Sequence, residues 1–230
     1  MSRAYNEMYL EDAMRNLGVA FDFAYNTYNI EMDDFYTMFV DSKISEKFGR
    51  GNPKYITGMS GIELVLEILK NYNKYNYKKD YVQYDYSCEY WCGYFLAYFQ
   101  WFHGIGFKQL AYYLKMEDLK KLYSILHETS ELKALEVVGQ NIHNKKLQSK
   151  LQYIRQKNNM SQSALSKLSS VSLRMIQQYE QKKKDINKAS ANSLYSLAMV
   201  LNCDIEDLME WDFVDQSDIV STNTTDASKY

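Results

Sequence analysis

Apolar residues in the C-terminal third of the chain recur at the spacing of short amphipathic helices. Leu147, Leu151 and Ile154 stand at positions i, i+4 and i+7, which places them on one face of a helix. Four further helices are predicted, with inner faces formed by Leu165 and Leu168, by Met175, Ile176 and Tyr179, by Leu194, Leu197, Ala198 and Leu201, and by Ile205 and Leu208. Residues suited to cap these four helices precede them at Ser161, Ser172, Asn187 and Asp204.

The region before residue 140 follows helical spacing over longer stretches. A first long helix is predicted from Met8, Met14, Leu17, Phe21 and Ala24, and a second from Phe35, Met38 and Phe39. Residues 90–104 are apolar on nearly all sides but too few to span a bilayer. We expect them to form a central buried helix, or a half-exposed surface for a partner.

Two polar segments interrupt this helical pattern. Residues 49–61 are predicted to form a loop around Pro53, the only proline, and Ser60 with Glu63 has the S-x-x-E form of a capping box. No Gly-Lys-Ser/Thr sequence follows the glycines, so a phosphate-binding loop is not predicted. Residues 71–86 are rich in Tyr and Lys, which is typical of a polar connecting loop and also suits binding of single-stranded nucleic acid.

Composition supports an all-α protein of two domains. The 230 residues include nine Gly and one Pro, too few turn-forming residues for a sandwich or a barrel. No apolar run reaches the length of a membrane helix, and the charged N-terminus does not resemble a signal peptide. The three cysteines, Cys88, Cys92 and Cys203, are expected to be reduced thiols. These features predict a cytoplasmic protein without a membrane partner.

Charge and tyrosine content both change near residues 139–150. Residues 1–140 carry 15 basic and 19 acidic groups, whereas residues 141–188 carry 11 basic and 2 acidic groups. Residues 204–230 carry 1 basic and 8 acidic groups, and 18 of the 22 tyrosines precede residue 140. We therefore predict an all-helical dimerisation or partner-binding domain over residues 1–140, a second domain over 146–210, and an acidic disordered tail over 212–230. The basic segment indicates a polyanion partner or a solvated helical face.

The second and third predicted C-terminal helices are joined by a tight turn, which is a helix-turn-helix arrangement. The outer face of the third helix carries Arg174, Gln177, Gln178 and Gln181. Arginine can bind guanine through two hydrogen bonds, and glutamine can bind adenine in the same way. This face is therefore suited to reading base edges.

The sequence MSQSALSKLSSVSLRMIQQYEQ resembles the Cro and phage-repressor type of helix-turn-helix, often called the XRE family. The resemblance covers residues 146–210 and includes Ser161-Gln162, Val171-Ser172 and Tyr179-Glu180. It implies a five-helix, lambda-repressor-like DNA-binding domain. The chain departs from the family at Ser170 and at Gln181, where the family usually has glycine, and a left-handed Ser170 would cost about 1 kcal/mol or somewhat more.

The resemblance also implies roles for individual residues. Contacts with bases are implied for Ser172, Leu173, Arg174, Gln177 and Gln178, with Arg174 on guanine and Leu173 against a thymine methyl. Contacts with phosphates are implied for Gln162, Lys182, Lys183, Lys184 and Lys188. Arg155 and Glu180 match a family ion pair that we interpret as an internal brace, although Arg155 could instead contact a phosphate.

The sequence offers little support for catalysis or for metal binding. Cys88 and Cys92 lie on one helix face, but zinc needs about four ligands and no second pair follows, so both are predicted to be core residues. His103, His127 and His143 have no neighbouring carboxylate pattern of a triad, and His127 is expected to end a helix. We predict no enzymatic activity, no cofactor and no metal.

Together these observations predict a sequence-specific DNA-binding transcriptional regulator, most simply a repressor that binds double-stranded DNA as a homodimer. The layout is also similar to antitoxins, in which residues 1–140 would bind a toxin while the second domain represses the operon. The sequence is compatible, too, with an enzyme that has a DNA-targeting appendage and with a helical module that binds protein instead of DNA.

Overall fold

The structure of the protein is a computed structural model, which describes residues 3–72 and 87–213. These residues form fourteen α-helices and two short 3-10 turns, and no strand occurs among them. The all-α prediction is therefore confirmed. The described chain divides into two compact units between residues 142 and 143, with Phe213 belonging to the first unit.

Nine helices begin in the first unit, and most of its core is aromatic or aliphatic. They are α1 (Leu10–Tyr28), α2 (Met32–Asp41), α3 (Lys43–Gly49), α4 (Pro53–Ile56), α5 (Gly61–Lys70), α6 (Cys88–His103), α7 (Phe107–Tyr113), α8 (Met116–Leu126) and α9 (Glu131–Asn144). Helix α9 ends two residues beyond the division between the units.

Helices α1 and α6 pack along each other at the centre of the first unit. Glycine permits their close approach, because a Cβ atom on Gly93 would lie 2.5 Å from the backbone oxygen of Leu17. Ten of the sixteen residues of α6 are buried, which explains why its sequence is apolar on nearly all sides. The prediction of a central buried helix is confirmed.

The segment between Gly49 and Gly61 is more ordered than the sequence prediction. The predicted loop contains α4, whose first residue is Pro53 and whose N-cap Asn52 accepts a hydrogen bond from the Lys54 N–H. Proline favours this position because its missing N–H has no intrahelical partner there. The predicted capping box at the start of α5 is confirmed, since Ser60 and Glu63 bond each other's backbone N–H groups.

Two predicted segments lie largely or partly outside the described residues. Of the Tyr- and Lys-rich segment, residues 73–86 are outside, and of the acidic tail, residues 214–230 are outside. The prediction of a disordered tail from residue 212 onward is wrong at Phe213, whose side chain is only 5% exposed. Its ring lies 5.2 Å from Phe99, 4.9 Å from His103 and 5.2 Å from Tyr113, measured between ring centroids. Burial of a large aromatic ring outweighs the acidic composition around it.

The second unit consists of five short helices, as the apolar spacing predicts. They are α10 (Lys150–Lys157), α11 (Gln162–Ser169), α12 (Leu173–Glu180), α13 (Ala191–Leu201) and α14 (Ile205–Leu208). Their shared core contains Leu151, Leu165, Val171, Ile176, Tyr179, Ile186, Leu194, Leu197, Ala198, Leu201 and Leu208. Leu168, for which the spacing predicts an inward position, is instead exposed near the end of α11.

Serine caps fix the start of the helices in the second unit. The hydroxyl oxygens of Ser161 and Ser172 accept hydrogen bonds from the N–H groups of Ala164 and Met175, at 3.1 and 3.3 Å. The predicted caps at both positions are confirmed. Ser149 caps α10 in the same way, so α10 begins at Lys150 and Leu147 precedes it, contrary to the predicted stripe.

The prediction that Asn187 caps the fourth helix is wrong. Asn187 lies in a 3-10 turn, Ile186–Lys188, and Ser190 caps α13 instead. The Asn187 side chain is engaged elsewhere, because it donates to the backbone oxygen of Glu210 at 2.7 Å and accepts from its N–H at 2.9 Å. A capping role would require the same side-chain atoms to point at the first turn of α13.

Candidate nucleic-acid interface

Helices α11 and α12 are joined by a turn of three residues, 170–172. Ser170 has φ 58° and ψ 13°, which is the left-handed conformation that favours glycine. The preceding Ser169 is buried, and its hydroxyl donates to the Leu165 carbonyl at 2.7 Å and accepts from the Val171 N–H at 3.3 Å. Side-chain hydrogen bonds and the buried Val171 therefore hold the turn in place without a glycine.

After α12, the left-handed residue lies one position later than the family's glycine pattern predicts. Gln181 has φ −82°, which any residue adopts easily. The next residue, Lys182, has φ 53° and is left-handed. Glycine is therefore not required at Gln181, and the backbone strain after α12 lies at Lys182.

Replacing Ser170 with glycine is expected to raise the free energy of unfolding of the second unit by about 0.5–1 kcal/mol, because glycine adopts positive φ without steric cost. The matched control is Gln181→Gly, where φ is negative and glycine only adds freedom to the unfolded chain. This variant is expected to lower the free energy of unfolding by about the same amount as Ser170→Gly raises it. Hydrogen exchange of the amides in α10–α12 measures both changes. An equal loss of protection in the two variants would contradict the strain assigned to Ser170.

Helix α12 separates a buried face from an exposed one. Ile176 and Tyr179 point into the core of the second unit. The predicted base-reading residues Ser172, Leu173, Arg174 and Gln177 are exposed, whereas Gln178 is half-buried. Since residues three and four apart are neighbours on a helix, the four exposed side chains and half-buried Gln178 form one continuous strip, which we call the α12 strip (Ser172, Leu173, Arg174, Gln177 and Gln178).

Two members of the α12 strip, Ser172 and Leu173, have further features that suit contact with DNA. The Ser172 hydroxyl caps α12, and its own hydrogen stays available for an acceptor outside the helix. Leu173 is 37% exposed, so its side chain can meet a thymine methyl group. The strip therefore combines hydrogen-bond donors and acceptors with one apolar contact surface.

The four lysines predicted to contact phosphates are all exposed, but their electrostatic surroundings differ. The ammonium of Lys182 lies 3.7 Å from a carboxylate oxygen of Glu210, and that of Lys188 lies 3.9 Å from one of Asp185. Lys184 lies 3.7 Å from the sulfur of Met175. Within the described part of the chain, Lys183 forms no ion pair.

The backbone after α12 folds back on the helix and presents these lysines. The N–H groups of Lys183 and Lys184 both donate to the Gln178 carbonyl, at 2.9 and 3.2 Å. This turn satisfies a carbonyl at the end of α12 that has no partner within the helix. The lysines thus follow directly after the α12 strip.

A buried ionic cluster fixes α12 against α10 and α11. The Arg155 guanidinium binds both carboxylate oxygens of Glu180, at 2.6 and 2.9 Å, and donates a third hydrogen bond to the Met160 carbonyl at 2.6 Å. Arg155 is 8% exposed and Glu180 is 5% exposed. Hydrogen bonding to Glu180 raises the pKa of Arg155 above its ordinary value. This geometry is that of an internal brace.

Gln162 lies in the same cluster, which the sequence does not indicate. Its side-chain nitrogen donates to a carboxylate oxygen of Glu180 at 2.7 Å, and the residue is half-buried. The predicted phosphate contact would have to use the second N–H of the amide. The structure thus gives Gln162 a bracing contact from the first turn of α11 to the end of α12.

The candidate residues His103, His127, Cys88 and Cys92 belong to the first unit. His103 is buried among aromatic rings, with Phe99 at 4.5 Å, and His127 follows the end of α8 as predicted. Cys92 is buried, but Cys88 is only half-buried, so the prediction of two core cysteines is wrong for Cys88. The described residues contain no group of three or more His, Cys, Asp or Glu placed to hold a metal ion.

Comparison with known families agrees with the geometry of the second unit. Residues 151–208, about a quarter of the chain, match the model of the helix-turn-helix family. No curated protein and no solved structure is significantly similar to the chain. The second unit is therefore a helix-turn-helix domain of the XRE type, a class of DNA-binding domain found in transcriptional regulators. In the described part of the chain, no helix has the length and apolar character needed to cross a bilayer.

Proposed function

We propose that the protein is a sequence-specific repressor that inserts α12 into the major groove of double-stranded DNA. The observation that carries the proposal is the α12 strip. It is a continuous row of polar side chains with one leucine, exposed except for half-buried Gln178, on a helix held by the buried ion pair of Arg155 and Glu180. A rigid support matters because base readout requires side chains to be held in a fixed register.

The side chains of the α12 strip have the chemistry for direct base readout. Arg174 can donate two hydrogen bonds to the O6 and N7 atoms of guanine. Gln177 and Gln178 can each bond the N6 and N7 atoms of adenine, and Leu173 can pack against a thymine methyl. These contacts would decide which sequence is bound.

The lysines would supply affinity without sequence preference. Each ammonium that neutralises a phosphate releases a condensed counterion, which makes binding weaker at higher salt. Lys183 is expected to contribute most, because Lys182 and Lys188 already lie near carboxylates. Gln162 and Lys184 would contribute further backbone contacts at the two ends of the helix-turn-helix.

A homodimer on a two-fold site follows from the size of the DNA-binding domain. A single domain of this size buries a modest protein–DNA interface, and two copies on adjacent half-sites multiply specificity. The first unit would hold the two copies together. Half-sites are then expected about one helical turn apart.

The direct test is selection of bound DNA from a random duplex pool by the full-length protein. Enrichment of a two-fold sequence with a spacing of about 10 base pairs between half-site centres is expected. An absence of enrichment at both low and physiological salt would contradict the proposal and favour a helical module that binds protein.

Arg174→Ala and Lys183→Ala are expected to weaken DNA binding in different ways, although each removes one positive charge. Arg174→Ala should cost about 1–3 kcal/mol on the selected sequence and relax the preference at one base pair. Lys183→Ala should weaken binding to all sequences alike and reduce the salt dependence by about one counterion. Titrations of selected and scrambled duplexes at several salt concentrations measure both. If the two variants lose affinity equally on every sequence, Arg174 does not read a base.

A further inference from the structure

Glu210, which follows α14, is held by hydrogen bonds through both its backbone and its side chain. Its backbone N–H donates to the Asn187 side chain at 2.9 Å, and its backbone carbonyl accepts from the same side chain at 2.7 Å. One of its carboxylate oxygens accepts a hydrogen bond from the backbone N–H of Lys150 at 2.7 Å. Together these three hydrogen bonds fix the position of the Glu210 carboxylate.

The contact with Lys150 suits a carboxylate for two reasons. Lys150 is the first residue of α10, so its N–H has no partner within the helix. The positive end of the α10 dipole also favours a negative charge at this place. Lys150 is buried, and the Glu210 side chain is only 21% exposed. The carboxylate is therefore held in place by groups that do not belong to the predicted phosphate contacts.

The second carboxylate oxygen of Glu210 lies 3.7 Å from the ammonium of Lys182. The backbone of Lys182 is fixed in a left-handed turn, and its N–H donates to the Tyr179 carbonyl at 3.0 Å. Its side chain nevertheless remains 49% exposed, so an anion from solution can approach the ammonium. Lys182 thus combines a fixed anionic partner within the protein with access to an external one.

The other three lysines predicted to contact phosphates have different surroundings. In the part of the chain that the structure describes, Lys183 and Lys184 form no ion pair. Lys188 lies 3.9 Å from Asp185 of its own turn, but 85% of its side chain is exposed, and so open a pair contributes little. Lys182 therefore differs from its neighbours in having a partner that other parts of the domain hold in place.

We propose that Glu210 competes with a DNA phosphate for Lys182, so that Lys182 exchanges one anionic partner for another when the protein binds DNA. This exchange rests on the proposed function, because it takes place beside the α12 strip on the same DNA-binding domain. Glu210 would then lower the affinity for every DNA sequence alike, since a phosphate contact does not read bases.

The exchange has a distinct signature in the salt dependence of binding. A lysine that neutralises a phosphate releases a condensed cation from the DNA. When Lys182 leaves Glu210, however, the exposed carboxylate attracts a cation from solution, and the two effects nearly cancel. The contribution of Lys182 is therefore almost independent of salt, whereas that of Lys183 is not.

The experiment titrates full-length variants with the selected duplex at several salt concentrations. Glu210→Gln keeps an acceptor oxygen for the Lys150 N–H but removes the negative charge. It should bind DNA about two- to fivefold more tightly, which is the range of an exposed ion pair, and increase the salt dependence by about one counterion. Lys182→Ala alone should leave the salt dependence unchanged. In the Glu210→Gln background the same substitution should reduce it by about one counterion, as Lys183→Ala does in either background.

Glu206→Gln is the matched control, because it removes the same charge from an exposed side chain of α14. Its effect on affinity should be about 1.5-fold or less, since salt screens exposed charges that are not in contact. Circular dichroism during thermal unfolding should give the same transition for Glu210→Gln as for the unaltered protein. Binding differences are then assigned to the charge and not to the fold.

Three results would overturn the competition between Glu210 and phosphate. They are weaker binding by Glu210→Gln, a gain in affinity that persists when Lys182 is also alanine, and an equal loss of salt dependence in Lys182→Ala and Lys183→Ala. Failure of the proposed function is a separate result. If no sequence is enriched, the same variants are titrated with an arbitrary duplex at low salt, where the same differences are expected because phosphates carry no sequence. Their absence there, or a lack of any duplex binding, would also overturn the competition.

Discussion

Glu180→Ala is expected to lower the free energy of unfolding of the second unit by about 3–5 kcal/mol. Glu180 accepts two hydrogen bonds from Arg155 and one from Gln162, and it is almost fully buried. The alanine variant would leave the Arg155 guanidinium buried without a counter-charge, which costs far more than the pair itself contributes. Hydrogen exchange of the amides in α10–α12 measures the loss on the full-length protein.

Two control variants separate a buried charge from a general effect of mutation. Glu206→Ala removes the same charge from an exposed side chain of the second unit and is expected to change stability by about 0.5 kcal/mol or less. The double variant Arg155→Met with Glu180→Leu replaces the pair by apolar side chains and is expected to be far more stable than Glu180→Ala. If Glu180→Ala lost no more stability than Glu206→Ala, the buried charge of Arg155 would not require Glu180 as its counter-charge.

Phe213→Ala is expected to destabilise the first unit by about 3–5 kcal/mol, which is the usual cost of truncating a buried phenylalanine. The ring is 5% exposed and contacts Phe99, His103 and Tyr113. Alanine would leave a cavity between rings on α6 and α7 that cannot close without moving the helices. Hydrogen exchange in α6, α7 and α9 is the measurement, because these helices hold the pocket.

A substitution at Gly139 of α9 tests the placement of Phe213 from the side opposite α6 and α7. A Cβ atom on Gly139 of α9 would lie 2.5 Å from the backbone oxygen of Phe213. Gly139→Ala is therefore expected to displace the segment, since backbone atoms cannot yield as a flexible side chain can. Phe213→Leu keeps part of the buried apolar volume and should therefore cost less than Phe213→Ala. Unchanged exchange in Phe213→Ala would show that the ring does not stabilise the first unit.

Local chemistry explains why much of the second unit could be predicted. Serine caps act on N–H groups two or three residues away, so Ser161 and Ser172 mark helix starts wherever the rest of the chain lies. The spacing of Ile176 and Tyr179 also fixes which side of α12 is buried. The positions of Arg174 and Gln177 on the opposite side follow from the same geometry.

Two local predictions in the second unit, the cap at Asn187 and the glycine-type position at Gln181, were wrong by a few residues. Asn187 is a good capping residue by type, but its amide pairs with the backbone of Glu210, twenty-three positions away. The family pattern indicates glycine at Gln181, yet the chain places its left-handed residue at Lys182. The position of the cap depends on a contact outside the local sequence, whereas the turn at Lys182 is closed by local hydrogen bonds from Lys183 and Lys184 to the Gln178 carbonyl.

The sequence by itself determined the helical class, the helix starts after Ser161 and Ser172, the helix-turn-helix and the exposed face of α12, because capping and periodicity depend on residues a few positions apart. Only the tertiary structure decided the contact of Gln162 with Glu180, the burial of Phe213 and the different exposure of Cys88 and Cys92. These features join groups distant in sequence or depend on how closely two helices approach. Such contacts are selected by packing and by the cost of burying charge, and neither quantity can be read from residue order alone.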